Sequence, residues 1–147
     1  MILRDLELMD MWSESDPGRR MRVTFPVSSV TGAASSSAVY FEVEPGDHIG
    51  THTDSAEEIV LVLGGSGEGV VGEDTCPLVA GGLTLIPAGV PHDVRNTGGE
   101  PLRVLGFFSS ATVVSVFDDP LAPIGRRVVG TPIPEEQQAA AAPTPSR

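Results

Sequence analysis

The chain has 147 residues, enough to bury one hydrophobic core, and 9 Lys plus Arg against 20 Asp plus Glu leave it a formal charge of −11. Such a field repels phosphate backbones and anionic lipid surfaces and speaks against nucleic acid and membrane as partners. Every basic side chain is Arg, so Schiff-base chemistry is ruled out, and the single Cys76 excludes an internal disulfide and a CxxC zinc or redox pair.

Along the chain, Asp5, Glu7 and Asp10 come early and no apolar run approaches the roughly 18 residues needed to span a bilayer, which predicts a cytoplasmic protein. Residues 1–37 read as an N-terminal segment with a flanking strand at 22–26, a small-residue loop at 31–37, and Trp12 placed to fold over the mouth of the domain or a subunit seam. Short apolar or alternating runs then predict strands at 38–44, 58–63, 68–71, 76–79, 83–87, 92–96, 102–108 and 112–117. Gly, Pro, Asn and Asp punctuate these runs, the pattern of an all-β sandwich or barrel over 38–117. Strand 58–63 is apolar at both parities, which predicts cover on both faces by a second sheet or a partner subunit. Tyr40, Phe107 and Phe108 are candidates for core or pocket wall, and Asp93 and Arg95, alternating with His92 and Val94, are expected to face outward. Residues 118–133 read as a C-terminal extension packing on the barrel. The tail 134–147 holds too few large apolar side chains to offset its ordering entropy and is expected to be disordered.

The histidines, His48, His52 and His92, stand amid a crowd of acids. In an extended segment His48, Gly50, His52 and Asp54 would point to one face. After a short turn at 55–57, Glu58 opens the next strand and would meet His52 and Asp54 across a hairpin. Its twin Glu57 is turned outward by parity. Nitrogen and oxygen donors in this mix suit Fe, Mn, Co, Ni or Zn.

These residues also fall into two spaced motifs. Gly46, His52-Thr53-Asp54, Glu58 and Gly65 follow the pattern G-x5-HxH-x3-E-x6-G except at Asp54, and Gly81, Pro87, Gly89, His92 and Asn96 follow G-x5-P-x-G-x2-H-x3-N without departure. In both motifs, over residues 38–108, the chain resembles the cupin superfamily. The resemblance implies a double-stranded β-helix, or jelly-roll, barrel that binds one divalent transition metal, with Fe(II) favoured over Mn, Ni, Zn or Co. It assigns ligand roles to His52, Glu58 and His92, and Asp54 stands where the family usually has its second histidine. Asp54 could coordinate through oxygen, or water or His48 could complete the set. Gly46, Gly65, Gly81 and Gly89 are expected to serve turns and corners, and Asn96 to close the turn after its strand.

Cupins carry many reactions, so the fold does not name one. The leading expectation is a metal-dependent oxygenase of the dioxygenase kind, acting on a small organic molecule. His48 would shuttle protons, and Asp54 would serve as general base if it is not a ligand. The alternatives are a redox-neutral isomerase, lyase or cyclase and a non-catalytic ligand-binding module. A 2-oxoglutarate-dependent oxygenase would need a carboxylate anchor, for which Arg103 is the candidate, provided it lies beside the metal. A homodimer is expected.

Overall fold

The computed structural model describes residues 1–122, 125–132 and 143–144. Strands β1 (Met11–Glu14), β2 (Met21–Val27), β3 (Ser37–Val43) and β4 (His52–Asp54) come first. They are followed by β5 (Glu58–Gly64), β6 (Ser66–Val71), β7 (Asp74–Val79), β8 (Leu83–Ile86) and β9 (His92–Arg95). The series ends with β10 (Leu102–Phe108), β11 (Val113–Leu121), β12 (Arg126–Thr131) and β13 (Pro143–Thr144). Short 3-10 turns at Leu6–Leu8 and Ser29–Thr31 interrupt the N-terminal segment. Among the described residues no helix is long and apolar enough to cross a membrane.

The strands form two sheets, one of seven in the order β13-β1-β2-β3-β10-β5-β8 and one of six in the order β12-β11-β4-β9-β6-β7, and every pairing is antiparallel. We call them the first and second sheets. This is the jelly-roll arrangement expected of the sequence. The inner faces follow the strand period of two: Val39, Phe41 and Val43 of β3, Val60 and Val62 of β5, and Leu102, Val104 and Phe108 of β10 are buried in one core. Each such side chain contributes roughly 1.5–3 kcal/mol of burial. Cys76 is a free, half-buried thiol packed against that core.

Within the single chain both faces are covered at β3, whereas the outer face of β5 is left open to a partner. Every residue of β3 is buried, whereas β5 buries Glu58, Val60 and Val62 and exposes Ile59 and Leu63. The outer face of β3 is shielded through the N-terminal segment: Tyr40 donates to Glu42 (2.6 Å), and Arg103, over the Tyr40 ring, reaches both Tyr40 and Glu7. Tyr40 is therefore buried as expected but faces away from the interior. Phe107 departs from expectation, being 44% exposed, while Phe108 is core.

The expected extension at 118–133 is continuous with the barrel. β11 runs on to Leu121, and β12 returns antiparallel beside it. The tail expected to be disordered lies outside the described residues except at Pro143 and Thr144, which pair with Trp12 and Met11. Pro26 sits in β2 where the register with β3 slips between Thr24 and Val27, a position at which a missing N–H is tolerated.

Candidate metal centre

His52 and Asp54 alternate along β4, both pointing inward with Thr53 between them half-exposed. His92 opens β9 directly opposite His52, and their ring centroids lie 4.1 Å apart. The donor atoms of His52, Asp54 and His92 all fall within 4.8 Å of one another, and all three residues are buried. Backbone carbonyls set the histidine tautomers. His52 Nδ1 lies 2.8 Å from the Gly50 carbonyl and His92 Nδ1 2.9 Å from that of Val90. A carbonyl only accepts, so each Nδ1 carries a hydrogen and each Nε2 is the ring atom turned to the centre.

Asp54 is held from the neighbouring strand. Ser115 lies opposite it in β11 and donates its hydroxyl to Asp54 Oδ1. The other oxygen, Oδ2, then faces His92 Nε2 at 3.1 Å and His52 Nε2 at 3.7 Å. Asp54 Oδ2 and His92 Nε2 are buried and neither makes a hydrogen bond. Two acceptor atoms this close repel unless a proton or a cation lies between them. The convergent donor atoms, two imidazoles and one carboxylate, fit a divalent metal, which would take the place of the proton between Asp54 and His92.

Glu58 approaches from the other side. The expected hairpin is absent: β4 belongs to the second sheet and β5 to the first, so residues 55–57 carry the chain across the sandwich. Glu58 reaches the trio from the facing sheet, its Oε2 3.6 Å from His92 Nε2. It has room because its neighbour on β10 is Gly106, where a Cβ would collide with the Glu58 carboxylate. Burial pushes the Glu58 carboxyl above its ordinary range and the charge of Asp54 adds to this, against the pull of His92. Asp54 is itself buried, which would raise it, but His92, His52 and Ser115 outweigh that and hold it low. Burial, seconded by His92, lowers His52. Burial would also lower His92, yet the carboxylates of Asp54 and Glu58 push it up to about 10. In the metal-free protein the cluster thus retains a proton on the His92 side.

These groups open on a cavity of about 100 Å³ between the sheets, walled by Val23, Phe25, Phe41, Ile86, Phe108 and Phe117 among others. Phe117 lies opposite His52 in β11 and stacks on its ring at 4.5 Å and 18°. Arg19 stands over the Phe117 ring at 5.7 Å, with its guanidinium donating to the Ile49 and Pro120 carbonyls.

His48 does not share this cavity. Its side chain is 40% exposed, its Nδ1 lies 2.6 Å from Asp93 Oδ2, and it lines a separate surface pocket with Asp47, Arg95 and Thr97. The alternation that would have aimed it inward fails at Gly50, whose φ of +101° breaks the extended run between His48 and His52. Asp93, expected outside, is 2% exposed and ties His48 and the Gly50 amide to β9. Arg103 lies on the outer face with Tyr40, Glu42 and Glu7, not beside the metal trio, so the requirement for a 2-oxoglutarate anchor there is not met. Glu57 is exposed as expected, and Asn96 closes its turn by donating to the Val43 and Glu100 carbonyls and accepting from Gly98. Gly46, Gly65, Gly81 and Gly89 all have positive φ. Sequence reasoning missed Ser115 and Phe117, whose only signal is their place on a strand whose partner the sequence does not name. It also missed Gly106, for which a lone glycine inside an apolar strand was a usable signal.

Residues 39–108 match the family described as Cupin domain. No curated protein matches the chain significantly. Among solved structures, the formate complex of an oxalate decarboxylase from Lactobacillus farciminis aligns at 22% identity and a TM-score of 0.65, covering 74% of this chain and 33% of that one. A protein from Acidithiobacillus ferrooxidans described as a sugar phosphate isomerase aligns at 24% identity and a TM-score of 0.55, covering 69% of this chain and 67% of that one. A study of the Mn(II) centres of Bacillus subtilis oxalate decarboxylase supplies a third, at 21% identity and a TM-score of 0.63, covering 73% and 30%. This chain thus spans about a third of the length of the oxalate decarboxylases, and at these identities the likeness is one of fold.

Proposed function

This chain belongs to the cupin superfamily, and from that premise we propose that it is a divalent-metal-dependent enzyme acting on a small organic molecule, with an Fe(II) oxygenase as the specific reading. The observation that carries the proposal is the convergence of His52, Asp54 and His92, all buried, with donor atoms within 4.8 Å of one another. His52, Asp54 and His92 are the ligands on this reading, and Glu58, once ionised, joins them from the facing sheet. Two imidazoles and one carboxylate with open positions are the donor set of non-haem Fe(II) oxygenases. A bound ion there would supply Lewis acidity and, as Fe(II), one-electron exchange with dioxygen.

The chain's own residues do the rest. The apolar walls exclude water and strengthen every charge interaction inside the cavity. Phe117 and the Gly50 carbonyl fix the His52 ring, and Ser115 fixes the Asp54 carboxylate. Glu58, its carboxyl pushed above the ordinary range by burial, stands beside the trio where it could pass a proton to or from a bound substrate. That last feature favours a second reading, a redox-neutral isomerase or lyase in which Glu58 moves the proton.

One assay separates them. Protein reconstituted anaerobically with Fe(II) or Mn(II) is offered a panel of small hydroxylated and dicarbonyl compounds, with oxygen uptake and product mass followed together. Oxygen consumed in step with substrate supports the oxygenase. Conversion without oxygen moves the assignment to the second reading, and a protein that takes up no metal removes both.

For assembly, we propose a homodimer through the outer face of β8, β5 and β10. Leu85, Ile59 and Phe107 stand in one cross-strand row there, with exposures of 58%, 43% and 44%. Such an apolar patch marks an interaction surface.

A further inference from the structure

The cavity has a second polar end that the metal trio leaves unused. β1 pairs with β2 so that Trp12 lies opposite Val23 and Glu14 opposite Met21, and all four line the cavity. Trp12 packs on Phe25 at 6.0 Å between centroids. Glu14 is only 6% exposed. Its Oε1 accepts from the Asp16 amide at 3.2 Å, but Oε2 is buried with no hydrogen bond, and so is Trp12 Nε1. One of these atoms can only donate and the other is a natural acceptor. Leaving both unfilled in an apolar wall is unfavourable, and unsatisfied groups of this kind are rare in structural roles.

We infer that Trp12 Nε1 and Glu14 Oε2 form a recognition subsite for the uncharged hydroxyl or carboxamide head of a small molecule whose apolar body occupies the cavity shared with the metal trio. The inference rests on the reading of that cavity as a small-molecule site. A hydroxyl or carboxamide carries both a donor for Glu14 and an acceptor for Trp12. An ammonium would leave the indole N–H unfilled, and a carboxylate would meet the Glu14 carboxyl oxygen. Burial holds Glu14 above the ordinary carboxylate range, against the pull of the Asp16 amide, Arg19 and the Ala122 amide. The cavity, about 100 Å³, restricts the body to roughly a single small ring, since a cavity of about 150 Å³ takes benzene.

The test uses the full chain with and without Zn(II), probed with cyclopentanol and its near-isostere methylcyclopentane. Fluorescence of Trp12, the sole tryptophan, and ligand-observed NMR report binding. Cyclopentanol is expected to bind at least about tenfold more tightly. Glu14→Leu should erase that preference while keeping wild-type Zn(II) affinity and a melting temperature no lower than wild type, and Glu14→Gln should retain most of it. A preference that survives Glu14→Leu, or cyclopentanol binding that does not saturate, overturns the subsite. A preference lost in His52→Ala but not in Glu14→Leu belongs to the metal centre and overturns it equally. If the wild-type chain takes up no Zn(II) yet shows the Glu14-dependent preference, the subsite stands and the metal reading falls.

Discussion

His52 and His92 lie directly across a strand pair from each other, their rings 4.1 Å apart, with both Nδ1 hydrogens committed to backbone carbonyls. Both Nε2 atoms are thereby aimed at one point before any ion arrives, and Asp54 completes the convergence.

Removing Asp54 tests that convergence. Asp54→Ala should weaken metal affinity by about a hundredfold, Asp54→His should restore it with a changed metal preference, and the exposed Glu57→Ala should leave it unaltered. Isothermal titration with Mn(II), Co(II) and Zn(II) reads all three. Wild-type affinity in Asp54→Ala would show that Asp54 is not a ligand.

Ser115 acts on the metal only through Asp54. Ser115→Ala should cost about tenfold in metal affinity with little change in fold stability, and Ser115→Thr should recover most of it. An unchanged affinity in Ser115→Ala would count against its positioning role.

The proton held at His92 makes the site sensitive to pH. Burial opposes protonation, but Asp54 and Glu58 raise His92 to about 10 in the metal-free protein, so metal binding must displace that proton. Affinity should therefore climb as pH rises toward about 10, with a slope near one proton per ion. For the metal-free form the sign is opposite. A folded pKa above the unfolded value of about 6.5 stabilises the protein fully below that pH, and the contribution is lost as pH rises through about 10. Melting temperatures of metal-free protein across this window, and metal affinities over the same range, check both signs.

Gly106 tests the seat of Glu58. A methyl group there collides with the Glu58 carboxylate, so Gly106→Ala should destabilise the fold by about 1–3 kcal/mol and displace Glu58 from the cluster. Chemical denaturation measures the first effect. The second should appear as a smaller upward displacement of the His92 pKa by NMR.

The outer row on β8, β5 and β10 predicts the assembly state. Light scattering should return a mass near twice 15.3 kDa. Leu85→Asp should yield monomers that keep their metal, because its side chain is 58% exposed and does not line the cavity. A wild-type mass near that of one chain at micromolar concentration would defeat the proposal.

The parts legible in the sequence were those set by local spacing. His52, Asp54 and His92 were found because alternation along β4 and the motif around Pro87 and Gly89 are local features. His48 was misplaced because parity holds only while the backbone stays extended, and Gly50 ends that run with a positive φ. Glu58 does come near the cluster, but from the facing sheet and not across a hairpin, since a three-residue connection between two strands reads alike as a hairpin or as a crossing between sheets. Ser115, Phe117, Trp12 and Glu14 depend on which distant strand lies beside which. β1 escaped notice altogether because Met11–Glu14 is too short to display a period.

Drawing three of the clustered groups from one sheet and the fourth from the other divides them mechanically. His52, Asp54 and His92 are braced by one hydrogen-bonded lattice, so their mutual geometry survives small breathing of the sandwich. Glu58 rides on the opposite wall, and its distance to them is the width of the gap. A guest that wedges the walls apart by a few tenths of an ångström would lengthen that one contact and leave the other three unchanged. The fourth position thereby becomes a gauge of whether the cavity is filled.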